Sequence, residues 1–237
     1  MLLKYDERIK LLTGSFTYKD FIAPYGVLDV FQGMAGEHAE LINMGYNDLL
    51  EKGVAWILIT NRYIVLKNPP LYGTVLVETW PRKKEKFDFY REYRIKDDKG
   101  EDLVHGISRW VMVDVNTRRI VIPREVEYQG EYYEKTNFPG KLTKTKDFDI
   151  TGLKPYMVTA SITDLDHNMH VNNARYPFYI LDAIQESEIK EFEITYMVET
   201  KLGETINVYY IKEDKTYYVK GIIEGKGTCF LSKLEVV

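Results

Sequence analysis

Three side chains with complementary chemistry stand at alternate positions in the segment Thr163-Asp164-Leu165-Asp166-His167-Asn168-Met169-His170-Val171-Asn172-Asn173. Asp166 offers a carboxylate. Asn168 offers an amide that donates and accepts, and His170 an imidazole that exchanges protons near neutral pH. In an extended chain, residues at i, i+2 and i+4 share a face, so this spacing predicts the three groups pointing into one space. A helix is predicted just beyond. Its backbone N–H groups and positive dipole end suit an oxyanion, and His170 suits proton transfer, which together fit hydrolysis of a thioester.

The elements that must position these groups read as one pattern written twice. In the first half, Gly14–Lys19 is predicted as a short strand and Val30–Lys52 as a helix, with Asp29 as N-cap and Gly53 as the residue that ends it. Strand-like runs follow at Ala55–Lys67, Thr74–Trp80, Phe87–Lys96 and Leu103–Val115. The second half repeats this with a strand at Tyr156–Ile162, a helix at Tyr176–Gln185, and runs at Glu191–Val198, Thr205–Ile211, Tyr217–Ile223 and Thr228–Val236. The expected division is a first domain over residues 1–122, a polar linker over 123–149 with a short helix after Pro123, and a second domain over 150–237. The fold class is α+β, each half wrapping an antiparallel sheet around its helix. Periodicity alone leaves a lipocalin-like or cystatin-like arrangement open.

Composition narrows the function classes. The 237 residues are 45% hydrophobic and 29% charged, with nineteen tyrosines, which favours strands around a sizeable core. A net charge of −4 points away from nucleic acid. Cys229 is the only cysteine, which excludes an intrachain disulfide and a cysteine zinc cluster. No apolar run reaches the roughly 18 residues of a membrane span, and the start lacks a signal-peptide pattern. A cytoplasmic enzyme without cofactor is expected.

The string Asp-Leu-Asp-x-Asn-x-His-Val-Asn-Asn followed by Tyr176 resembles the second-domain motif of the acyl-carrier-protein thioesterases of plants and bacteria. In the first half, Gly45, Gly53, Trp56, the Pro70 to Gly73 turn, Glu78-Thr79-Trp80, Arg109-Trp110 and Thr117-Arg118-Arg119 with Ile122-Pro123 stand in that family's order. The resemblance covers about residues 10 to 235. It implies two tandem hotdog domains and hydrolysis of fatty acyl chains from acyl carrier protein. It also implies catalytic roles for Asp166, Asn168, His170 and, on a strand after the second helix, Glu199, acting as general base or nucleophile. The implied partner is a carrier protein bearing a phosphopantetheine-linked acyl chain; a homodimer is a further possibility. Where many plant members have cysteine after that glutamate, this chain has Thr200, and Pro177 predicts a delayed start of the second helix.

Plainer roles apply elsewhere. His167 and His170 lack further candidate metal ligands in the sequence. Cys229 reads as a small core residue, and His38 as a helix residue that packs or caps. Arg82, Lys83, Lys84, Lys86, Arg118, Arg119, Lys141, Lys144 and Lys146 are ordinary surface charges unless they dock an acidic carrier. Met34, Leu41, Ile42 and Met44 on the first helix are candidates for setting acyl pocket depth. The alternative functions are an acyl-CoA thioesterase of the same fold and a non-catalytic acyl-binding protein.

Overall fold

The computed structural model describes residues 2–121, 128–139, 142 and 144–237. Contacts divide the chain into unit 1, Met1–Leu11 with Asp29–Leu142, and unit 2, Leu12–Leu28 with Thr143–Val237. The elements of the first half are β1 (Leu2–Leu3), β2 (Tyr5–Lys10), α1 (Pro24–Leu41), α2 (Tyr46–Glu51), β3 (Val54–Val65), β4 (Thr74–Pro81), β5 (Phe89–Lys96), β6 (Asp102–Asp114), β7 (Ile120–Val121) and β8 (Glu131–Tyr132). Strands β2-β4-β5-β6-β3 form an antiparallel sheet, with β7 added on β6.

The long helix α1 lies against this sheet. Phe31 stacks on Tyr93 of β5 with ring centroids 4.2 Å apart. Gly106 of β6 admits this approach, because a Cβ there would stand 2.1 Å from the Phe31 ring. Glycine inside a strand often marks such a close approach.

Three predictions for the first half differ from the structure. The helix expected from Val30 to Lys52 is two helices, and it begins earlier. Pro24 opens α1, where its missing N–H costs nothing. The chain then breaks at Asn43, held in the left-handed region at φ 54°. It restarts when the Gly45 N–H donates to the Asp48 carboxylate, 3.1 Å away. Gly53, at φ 69°, does follow the end of α2. The strand expected over Gly14–Lys19 is instead a 3-10 turn at Thr13–Ser15 and a tight turn across the Phe16–Ile22 bridge. The true first strand of the sheet is β2, an edge strand whose Asp6, Glu7 and Arg8 hide the usual apolar alternation.

Residues 128–139, part of the expected linker, run along unit 1. Strand β8 pairs in parallel with β1, the Trp80 indole donates to the Lys135 carbonyl at 2.8 Å, and the Asn137 amide donates to the Tyr93 carbonyl at 2.7 Å. The short helix expected after Pro123 falls outside the described residues.

Unit 2 holds β9 (Tyr156–Thr159), α3 (Tyr176–Ile184), β10 (Ile189–Tyr196), β11 (Thr205–Glu213), β12 (Thr216–Ile223) and β13 (Gly227–Val236). Its sheet order, β9-β11-β12-β13-β10, repeats that of unit 1 strand for strand. Phe192, Ile194, Ile206, Val208, Val219, Phe230 and Leu231 fill the core with Ile180 from α3. Pro177 sits in the first turn of α3, one residue after Tyr176, with Arg175 at the N-cap.

Candidate active site

The segment from Asp164 to Asn172 is a knotted turn, not the extended strand its alternation predicts. Asp164 closes a 3-10 turn by accepting from the Ser161 N–H and hydroxyl, both at 2.7 Å. Leu165 and Val171 then form an isolated bridge. Between them the Asp166 N–H donates to the His170 carbonyl at 2.8 Å, and the Met169 N–H donates back to the Asp166 carbonyl at 3.0 Å. Met169 takes the left-handed conformation that closes the loop, φ 64°. The Asp166 carboxylate points inward and accepts from the N–H groups of Asn168, 2.8 Å, and His170, 3.3 Å. Side-chain capping of its own turn is what Asp does well. It also cancels the premise that Asp166, Asn168 and His170 share the face of a strand.

What brings His170 to an acid is a second connection. The Val171 N–H donates to the Thr200 carbonyl at 2.9 Å, and His170 bridges to Lys201. This lays Met197–Thr200 alongside the turn. The imidazole Nε2 stands 3.4 Å from the Glu199 carboxylate, with 21% and 43% of the two side chains exposed. That separation is within ion-pair range and longer than a finished hydrogen bond, as is common for proton-transfer groups before substrate arrives. Glu199 lies just past the end of β10, so the strand expected to carry it stops three residues short. Asn168 is exposed at the turn, tied to the site by its backbone N–H.

Thr200 and Cys229 are buried in unit 2. Thr200 is fully buried, and its hydroxyl accepts from the Tyr176 phenol at 3.0 Å. Thus the residue that departs from the plant pattern pins α3 to the connection carrying Glu199. Cys229 is 1% exposed, and burial pushes its thiol up to about 12. A thiol in that state is not a nucleophile at neutral pH.

The start of α3 offers fewer anion donors than its position suggests. The Ala174 N–H is taken by the Asn172 side chain, the Arg175 N–H by the Asn172 carbonyl and the Phe178 N–H by the Arg175 carbonyl, while Pro177 has none.

The chain builds this turn a second time, which sequence reading missed. At Phe16–Ile22 the Thr17 N–H donates to the Phe21 carbonyl, the Asp20 N–H donates to the Thr17 carbonyl, and Asp20 is left-handed at φ 55°. The Thr17 hydroxyl accepts from the Lys19 N–H at 3.4 Å, as Asp166 does from Asn168. Thr17, Lys19 and Phe21 occupy the places of Asp166, Asn168 and His170. The scaffold is duplicated and the acid–amide–imidazole set is present in one copy only. The signal was the shared step from strand to 3-10 turn to helix, obscured because the two heptapeptides share no residue at matching positions.

Two sheets of the same strand order, each with its own helix, define a tandem hotdog protein, and in unit 2 a His–acid pair stands beside the Asp166-capped turn. The chain belongs to the acyl-ACP thioesterase family: the "Acyl-ACP thioesterase N-terminal domain" matches residues 3–128 and the "Acyl-ACP thioesterase C-terminal domain" residues 149–228. It is 31% identical over 170 residues to the chloroplastic palmitoyl-acyl carrier protein thioesterase of Arabidopsis thaliana, covering 64% of this chain and 40% of that protein. It is 25% identical over 202 residues to the oleoyl-acyl carrier protein thioesterase 2 of the same plant, covering 76% of this chain and 53% of that one. The chain therefore spans about half or less of these curated relatives. Two solved structures share the fold nearly end to end. An acyl-ACP thioesterase from Bacteroides thetaiotaomicron matches with a TM-score of 0.84 at 22% identity over 99% of this chain and 98% of that one. The 12:0-ACP thioesterase from Umbellularia californica matches with 0.86 at 18% identity over 98% and 96%.

Proposed function

We propose that this chain hydrolyses the thioester of fatty acyl chains on acyl carrier protein, releasing the free acid. The supporting observation is the His170–Glu199 pair held beside the Asp166-capped turn in a member of this family. In this reading the pair takes a proton from water as the water oxygen bonds to the thioester carbon. The C–S bond then breaks, and the proton passes to the leaving pantetheine thiolate. Asn168 positions water or the developing oxyanion, and Asp166 is a positioning residue that fixes the turn. The expected domains share the work: residues 150–237 do the chemistry, and residues 1–122 hold the acyl chain. Unit 1 has room for that role. An apolar cluster there includes Ile42, Met44, Phe89 and Met112, beside a cavity of about 220 Å³ lined by Lys84, Phe89, Tyr128 and Tyr132. Leu41 drops out of the expected depth-setting set because it is 62% exposed.

The carrier protein is the proposed partner, and a second copy of the chain is one this reading allows without requiring. Among the described residues no helix is long and apolar enough to cross a membrane. Residence in the cytoplasm is proposed on the sequence alone, since the curated relatives are chloroplastic. The test is release of free acid from acyl carrier protein and from coenzyme A loaded with the same acyl chains. A kcat/KM at least tenfold higher on the carrier substrates is expected. Equal or reversed preference would favour the acyl-CoA thioesterase, and binding without release would leave an acyl-binding protein.

A further inference from the structure

Next to the His170–Glu199 pair, unit 2 buries two hydroxyl groups that the proposed chemistry does not use. The Tyr176 phenol, at the first residue of α3, donates to the Thr200 hydroxyl at 3.0 Å. Tyr176 is 3% exposed and Thr200 is fully buried. Burial pushes the phenol well above the usual tyrosine range, so it is a neutral donor near neutral pH. A hydroxyl taken out of water costs free energy that its hydrogen bond only offsets. Phenylalanine and valine of the same shapes would fill this space at nearly equal stability.

The place of the bond in the chain supplies a reason for it. β10 ends at Tyr196, so Glu199 stands on a connection and not in the ladder. Thr200 follows Glu199 directly, and its side chain ties that connection to α3. The Thr200 backbone reaches the other member of the pair. Its carbonyl accepts from the Val171 N–H at 2.9 Å, and the next residue, Lys201, bridges to His170. Tyr176 is itself held firmly. Its ring meets those of Tyr196 and Phe230 edge-on, each with centroids 5.5 Å away. The Tyr196 phenol donates to the Asn173 carbonyl at 2.9 Å, which ties β10 to the run leading from His170 into α3. The imidazole and the carboxylate thus arrive on two separate segments, and the Tyr176–Thr200 bond fixes the one that bears Glu199.

We propose that Tyr176 and Thr200 are positioning residues: their hydrogen bond holds the Glu199 carboxylate at the separation from His170 that proton transfer requires. This rests on the hydrolase reading, so one of its two readouts needs no turnover. Tyr176→Phe and Thr200→Val each remove one partner and keep the shape, while Thr200→Ser keeps the hydroxyl. The double variant Tyr176→Phe/Thr200→Val leaves neither hydroxyl unpaired and should melt near wild type. On acyl carrier protein bearing a fatty acyl chain, kcat should fall about tenfold or more in both single variants and in the double variant, with KM within about twofold, because a small misplacement of reacting groups costs up to about 10² in rate. Thr200→Ser should stay within about threefold of wild type, as a rescue through the hydroxyl alone. The second readout is the proton–nitrogen NMR signal of the His170 ring at one fixed pH, assigned with His170→Ala. In Tyr176→Phe, Thr200→Val and the double variant it should shift towards its place in Glu199→Gln; in Thr200→Ser it should keep the wild-type place. If a single variant does not fold, the double variant and Thr200→Ser carry the same test. A double variant that regains kcat along with its melting temperature would overturn the proposal, showing the bond to be packing alone. So would a His170 signal that stays in place in Tyr176→Phe and Thr200→Val. A wild type that releases no acid from any carrier thioester, while the His170 signal moves as expected, would sink the hydrolase and leave the positioning of Glu199 standing.

Discussion

Asp166 acts through the backbone: one carboxylate oxygen caps two N–H groups and so sets where His170 points. Asp166→Asn keeps an oxygen acceptor in place and should hold the melting temperature near wild type. Asp166→Ala should cost about 0.5–2 kcal/mol, the usual worth of a side-chain cap, and lower kcat more than it raises KM. Thermal melts beside steady-state kinetics check both; an alanine variant with unchanged kcat would remove Asp166 from the site. Cys229, with its thiol near 12, should tolerate Cys229→Ser at the cost of some packing and resist alkylation in the native protein. His38 carries an acid-stability signature. Its folded imidazole titrates near 3, against about 6.5 when unfolded, so the unfolded chain binds the extra proton between those values. Stability should therefore fall as pH drops from 6.5 towards 3, and His38→Gln should flatten that limb of a pH series of melts. An unchanged slope would mean His38 is not the group responsible.

At the scale of elements, the two meanders were legible in the sequence, because valine, isoleucine and tyrosine runs alternate between clear turns such as Asp97–Gly100 and Glu213–Lys215. The connections were not. Alternation of Asp166, Asn168 and His170 reads as a strand, yet Asp166 and the left-handed Met169 fold it into a turn whose closing bonds are backbone N–H groups. Likewise Asn43 breaks a helix whose apolar spacing continues undisturbed to Leu50. Glu199 was reachable only through resemblance, since nothing local marks an exposed acid that the fold later brings to His170. The fit between helix and sheet also escapes sequence reading, and it gives an element-scale test. Gly106→Ala would drive a methyl into the Phe31 ring. It should destabilise by about 1–3 kcal/mol, as overpacking typically does. A denaturant midpoint equal to wild type would contradict the described contact of α1 with β6.

For the whole molecule, the turn is built twice while the acid–amide–imidazole set stands in one copy. Thr17, Lys19 and Phe21 keep the turn with other side chains at the three matching places. The charge pattern bears on the partner. Arg82 leaves the set of docking candidates, because it is committed to buried Glu92 and to the Phe138 carbonyl. Lys141 lies outside the described residues. Lys83, Lys84, Lys86, Arg118, Arg119, Lys144 and Lys146 remain. Charges on the surface are screened over about 8–10 Å at physiological salt. Raising salt should therefore increase KM for an acyl carrier substrate several-fold while leaving KM for a short pantetheine thioester nearly unchanged. Equal salt sensitivity for both would count against electrostatic docking.

We propose that a carboxylate–imidazole pair in unit 2, and no thiol, cleaves the carrier thioester. The most direct measurement is single-turnover release of free acid from acyl carrier protein by wild type, Glu199→Gln, His170→Ala and Cys229→Ala, each confirmed folded by its melt. Glu199→Gln keeps size and loses basicity; it and His170→Ala should each fall by about 10²–10⁴ in rate, while Cys229→Ala should stay within a few-fold of wild type. A Glu199→Gln enzyme near full rate beside an inactive Cys229→Ala enzyme would contradict the account.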